Sequence, residues 1–95
     1  MVLDGCWSVD DRLIAFGILD LTPNIASSLY FCFDPAESDR SLGTFSMMVE
    51  MRLAQSRGLR WFHPGFWVED CGAMAYKSRF RPCEVLEDDG TWYPV

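Results

Sequence analysis

Ninety-five residues leave room for one small domain with a single core and exclude a two-domain enzyme. Hydrophobic residues make up 49% of the chain and aromatics 15%, which excludes a disordered polymer. A net charge of −6, from 14 acidic and 8 basic residues, argues on its face against a nucleic-acid partner.

The total hides a pattern. Residues 1–39 set seven carboxylates against Arg12, and residues 82–95 carry Glu84, Glu87, Asp88 and Asp89 with no cation. Between them, residues 52–81 hold Arg52, Arg57, Arg60, Lys77, Arg79 and Arg81 against Glu69 and Asp70. A local basic surface can meet phosphates while the whole chain stays acidic; the plainer reading is a solvated mixture of charges. The longest apolar run, Leu13 to Leu19, is far short of the roughly 20 residues of a membrane span. No basic-then-apolar leader follows Met1, so a cytoplasmic protein with reduced thiols is expected. Cys6, Cys32, Cys71 and Cys83 form no short-spaced pair and His63 is the only histidine, so no metal site is expected.

In chain order, Gly5–Val9 and Arg12–Leu21 flank Asp10-Asp11 and read as a hairpin. The second run is apolar at nearly every position, which predicts burial on both faces. Ser28–Phe33 reads as a third, central strand. Ser41 is placed to cap a helix that runs to Gly58. Leu42, Phe45, Val49 and Leu53 form one face of that helix, and Met47, Met48, Met51 and Ala54 cover another. Ser46, Glu50 and Arg57 are left as a narrow polar stripe, so the helix should be buried on two sides. Leu59–His63 reads as a strand, Cys71–Lys77 as one or two helical turns, and Arg79–Arg81 as an alternating segment. Cys83–Leu86 forms a short last strand, against which Thr91–Tyr93 pairs. The order β-β-β-α-β-α-β points to one α/β domain over residues 1–95, a mixed sheet with one main helix and at least one parallel crossover.

Two places invite a ligand. Arg40-Ser41-Leu42-Gly43-Thr44 combines a helix N-terminus, a glycine and a cation, the parts of an anion site. Many helices begin this way without binding anything. Met74–Pro82 interleaves Lys77, Arg79 and Arg81 with Tyr76 and Phe80, which suits phosphates and stacked bases. Its plainer reading is a basic edge with the aromatics in the core. His63, beside Trp61, Phe62 and Pro64, reads as a packed residue, and no acid–base pair stands out.

Three blocks, VDDRLIAFGILDLTPNIASSLYFCFDP, RSLGTFSMMVEMRLAQSRGL and MAYKSRFRP, resemble the C-terminal half of aminoacyl-tRNA–protein transferases. That family comprises the arginyltransferases and the bacterial aspartate/glutamate leucyltransferases. The likeness runs from about residue 9 to residue 86, with MAYKSRFRP closest to the bacterial branch. Asp11 stands where the family has a turn glycine, and Gly72-Ala73 replace a pair ending in lysine. The resemblance implies a partial GNAT-like acyltransferase fold. It implies transfer of arginine or leucine from aminoacyl-tRNA to a protein's N-terminal amine in an N-degron pathway, with no cofactor beyond the tRNA. Arg40 to Thr44 would then hold the aminoacyl-tRNA 3′ end. Tyr76, Lys77, Arg79 and Arg81 would meet tRNA or the acceptor's carboxylate. Family members carry a cysteine-rich half before this point, so a truncated copy, or one half of a split enzyme, is expected. Two other readings stand beside it: a non-catalytic interaction module or homodimer seated on the methionine side of the helix, and a small acyl-CoA N-acetyltransferase.

Overall fold

The computed structural model describes residues 1–65, 77 and 79–94. These fall into two compact units, Met1–Gly65 and Phe66–Val95.

The first unit opens with a long hairpin, β1 (Val2–Val9) and β2 (Arg12–Leu21). Its two-residue turn puts Asp10 at φ 50° and Asp11 at φ 63°. Two left-handed residues in a row give the turn the twist that antiparallel strands require, and the short polar side chain of aspartate tolerates that backbone. Strand β3 (Ile25–Phe33) pairs antiparallel with β2. A 3-10 helix (Pro35–Arg40) leads into α1 (Leu42–Ser56), and β4 (Trp61–His63) returns parallel to β3. The result is a mixed four-stranded sheet in the order β1-β2-β3-β4 with α1 as the crossover.

One face of this sheet meets the helix. Leu19, Leu21, Ala26 and Ala54 form one buried cluster, with Leu3, Leu53, Leu59 and Phe62 packed against it. Ile14, Ala15 and Leu42 form a second, with Trp7, Val9 and Phe31 around it. Nothing within this unit covers the opposite face, where Phe16 is 37% exposed and Tyr30 54%, their rings 5.8 Å apart. The burial of β2 on both faces expected from its composition is therefore not what the first unit shows; α1 covers one side only.

The helix also corrects its sequence reading. Leu42, Met47 and Ala54 are buried, but Phe45 and Met48 are exposed. Ser46 is buried and Glu50 half-buried, so the polar stripe turns toward the sheet. A register shift in β3 explains part of this. Ile18 pairs with Tyr30 but Leu19 with Ser28, so Leu29 bulges out to solvent. The bulge gives the place opposite Leu19, on the helix side, to Ser28 in place of a leucine. Ser28 then donates to Glu50 Oε1 at 3.3 Å, and Ser46, one turn earlier on α1, donates to the same oxygen at 3.1 Å.

In the second unit, β5 (Glu84–Leu86) and β6 (Trp92–Pro94) form an antiparallel hairpin. Tyr93 Oη donates to Asp89 Oδ2 at 2.6 Å across its turn. Arg79-Phe80-Arg81 does not continue as a strand. The helical turns expected at Cys71–Lys77 lie outside the described residues, apart from Lys77.

Candidate substrate site

The start of α1 is built in three steps. Asp34 accepts from the Ala36 N–H at 3.0 Å and begins the 3-10 turn. Ser41, at φ 54° and ψ 47°, breaks that turn from the helix. Leu42 anchors the new helix in the cluster with Ile14 and Ala15. Ser41 is the N-cap residue, but no side chain caps the helix. The first N–H groups of an α-helix have no carbonyl of their own, so those of Leu42, Gly43 and Thr44 point outward from the positive end of its dipole. Leu42 offers a ligand only its backbone, because its side chain is committed to the core.

Arg40 is not an isolated cation. Its Nε donates to Glu37, Arg12 donates to Glu37 as well, and Arg12 reaches Asp34 at 3.0 Å. Arg40, and then Arg12, hold the Glu37 carboxyl below its ordinary range, and Glu37 in turn raises Arg40. Two guanidiniums thus face two carboxylates, and this quartet adds little net field. An anion at this loop would be held by the backbone N–H groups more than by Arg40.

Of the second group, Lys77 is half-buried, and burial lowers its ammonium pKa. Arg79 and Arg81 are exposed. Tyr76 lies outside the described residues. His63 is half-buried on β4, opposite Ser27. Cys6, Cys32 and Cys83 are free thiols. Among the described residues no three potential ligands gather to hold a metal, and no helix is long and apolar enough to cross a membrane.

The sequence reading missed a cavity of about 200 Å³ between α1 and the first two strands. Leu3, Trp7, Leu19, Val49 and Leu53 give it apolar walls, and Glu50 supplies a carboxylate. Its space comes from Gly5 and Gly17, which pair directly across β1 and β2 on the helix side. A Cβ on Gly17 would come within 3.2 Å of the Tyr30 carbonyl oxygen, whereas one on Gly5 would meet only the Trp7 ring at 3.9 Å. Burial is the main cause that raises the Glu50 carboxyl above its ordinary range, against the pull of Ser46 and Ser28. Glu50 makes no ion pair among the described residues. The sequence signal was Ser46 and Glu50 one helical turn apart, which reads equally as a solvated stripe.

Comparison with known proteins places the chain in a family. A family profile described as "Arginine-tRNA-protein transferase, C terminus" matches residues 3–87. An aspartate/glutamate leucyltransferase of Aeromonas hydrophila is 43% identical over 87% of this chain and 34% of its own length. One from Helicobacter hepaticus is 34% identical over 84% of this chain and 33% of its own. The arginyl-tRNA–protein transferase 1 of Drosophila melanogaster is 37% identical over 92% of this chain and 19% of its own. The chain spans about a third or less of the length of these relatives. It belongs to the arginine-tRNA-protein transferase family and corresponds to that family's C-terminal part.

Proposed function

We propose that this chain takes part in transferring an amino acid, leucine or arginine, from aminoacyl-tRNA to the N-terminal amine of an acceptor protein. The observation that carries the reading is the family match over residues 3–87, which spans both the uncapped start of α1 and the basic segment at Lys77–Arg81. The mixed sheet with its helical crossover is compatible with a GNAT-like acyltransferase core.

The chemistry asks little of the protein beyond placement. The acceptor's neutral amine attacks the ester carbonyl carbon of the aminoacyl group. A C–N bond forms, the bond to the ribose oxygen breaks, and the amine's proton passes to that oxygen. One ester becomes one amide, with no cofactor consumed. Positioning alone contributes several kcal/mol to such a step, on the order of 7 or more. In this reading the N–H groups of residues 42–44, with Ser41 and Arg40 beside them, hold a phosphate near the tRNA 3′ end. Lys77, Arg79 and Arg81, with Tyr76, meet tRNA phosphates or the carboxylate of an N-terminal Asp or Glu. The setting is the cytoplasm, and the product is a protein marked for N-degron turnover.

Met47, the centre of the methionine side offered for a partner, is buried in the chain's own fold, and no specific observation favours the homodimer. Binding of leucyl-tRNA and arginyl-tRNA to the full chain at 50 and 200 mM salt tests the proposal. Affinity should fall steeply with salt. Lys77→Ala and Arg79→Ala should each lower the slope of log K against log salt by about 0.7–0.9. Salt-independent binding, or slopes untouched by both substitutions, would refute the site assignment.

A further inference from the structure

We infer that the cavity under α1 seats the amino acid carried by the donor, with Glu50 as counter-ion for its α-ammonium and the apolar walls receiving an aliphatic side chain. This rests on the aminoacyl-transfer reading and adds to it the place where the donor's amino acid sits and the residue that holds its ammonium.

Four observations converge. The void is a gap in the sheet's own side-chain layer, left where Gly5 faces Gly17. Its 200 Å³ is of the size an aliphatic side chain and its α-carbon occupy. Glu50 gives one oxygen, Oε1, to both serine hydroxyls, and Oε2 makes no hydrogen bond among the described residues. Two neutral donors on one oxygen do not balance a half-buried negative charge, and a cation does. Finally Trp7, on the same wall, carries a buried indole N–H with no acceptor among the described residues. A bound aminoacyl carbonyl would supply that acceptor. The complement of the cavity is therefore an ammonium beside a carbonyl and an aliphatic group. The N-terminal Asp or Glu of an acceptor fits poorly, since its side-chain carboxylate would enter an apolar space already holding Glu50.

The test uses the full chain and three small probes: leucinamide, N-acetyl-leucinamide and aspartic acid α-amide. Binding is read from the Trp indole resonances and by calorimetry. Leucinamide should bind, and acetylation, which removes only the charge, should weaken it about tenfold or more. Aspartic acid α-amide should bind at least tenfold more weakly than leucinamide; the reverse order would assign the cavity to the acceptor and overturn the inference. Glu50→Gln keeps the shape and the serine contacts and should abolish the preference for the free amine. Gly5→Val grows into open space and should fold at least as stably while excluding leucinamide. Equal binding of the acetylated and free probes, or unchanged leucinamide binding in both variants, overturns the inference. Failure of tRNA binding with these results intact would sink the transfer reading and leave the amine site standing. Salt-dependent tRNA binding together with an indifferent Glu50→Gln would do the opposite.

Discussion

Two glutamates on either side of the start of α1 solve opposite electrostatic problems. Glu37 is enclosed by Arg12 and Arg40, and its carboxyl lies below its ordinary value of 4.5. Glu50, in the helix, is half-buried against hydroxyls only and lies above that value. Glu37 closes a brace between the β1–β2 hairpin and the entrance of the helix, and its charge is satisfied within the fold. Glu50 is held in place by Ser28 and Ser46 yet remains unbalanced. A paired buried carboxylate is architecture; an unpaired one beside a cavity is a place for a cation.

The largest perturbation should come from the packing that both regions share. Leu42 fixes the helix entrance on Ile14 and Ala15, and Leu42→Ala should cost about 2–5 kcal/mol in urea unfolding. A loss below 1 kcal/mol would mean that the brace, and not the core, positions α1.

Next, the two glutamates should separate by pH. Glu37 has a lowered carboxyl, so its contribution is present above pH 4.5 and fades as pH falls through its lowered value. Glu37→Gln should therefore lower Tm at pH 7 and do little in strong acid. Glu50 has a raised carboxyl, so the stability linked to its protonated form is complete below pH 4.5 and is lost as pH rises through its raised value. Glu50→Gln should stabilise at pH 7, by under about 1 kcal/mol because water still reaches the group, and should be neutral at pH 3. Two variants with the same sign at pH 7 would break the contrast.

The smallest effect serves as the control. Asp11→Gly relieves a left-handed backbone at the hairpin turn and should add about 0.5–1 kcal/mol without moving either pH arm. A change in the pH profile would show that the Asp11 charge, and not only that of Asp10, reaches the brace.

Much of this fold was legible in the sequence. The hairpin, the third strand, the helix and the parallel return follow from alternation, from the 3–4 spacing of Leu42, Phe45, Val49 and Leu53, and from turn residues. The family blocks were legible too, because the order and spacing of three long motifs are hard to reach by chance. What the sequence did not reveal was orientation. Composition made β2 look covered on both sides, yet the first unit covers one. The helix presented two apolar faces and one polar stripe, and the stripe turned inward. That outcome depends on a bulge that gives Leu29's place to Ser28, and on two glycines that meet only after the hairpin pairs. Neither is local information, and both decide where Glu50 lies. Arg40 pairs with Glu37 only three positions away, but the Arg12 arm of the brace was hidden for the same reason, since Arg12 and Glu37 are 25 positions apart.

The most direct measurement is a carboxyl NMR titration of Glu50 in the full chain, with and without leucinamide. The account predicts titration above 4.5 in the free protein and a downward move when the amine binds. A Glu50 that titrates at or below 4.5 when free, or that ignores saturating leucinamide, would contradict it.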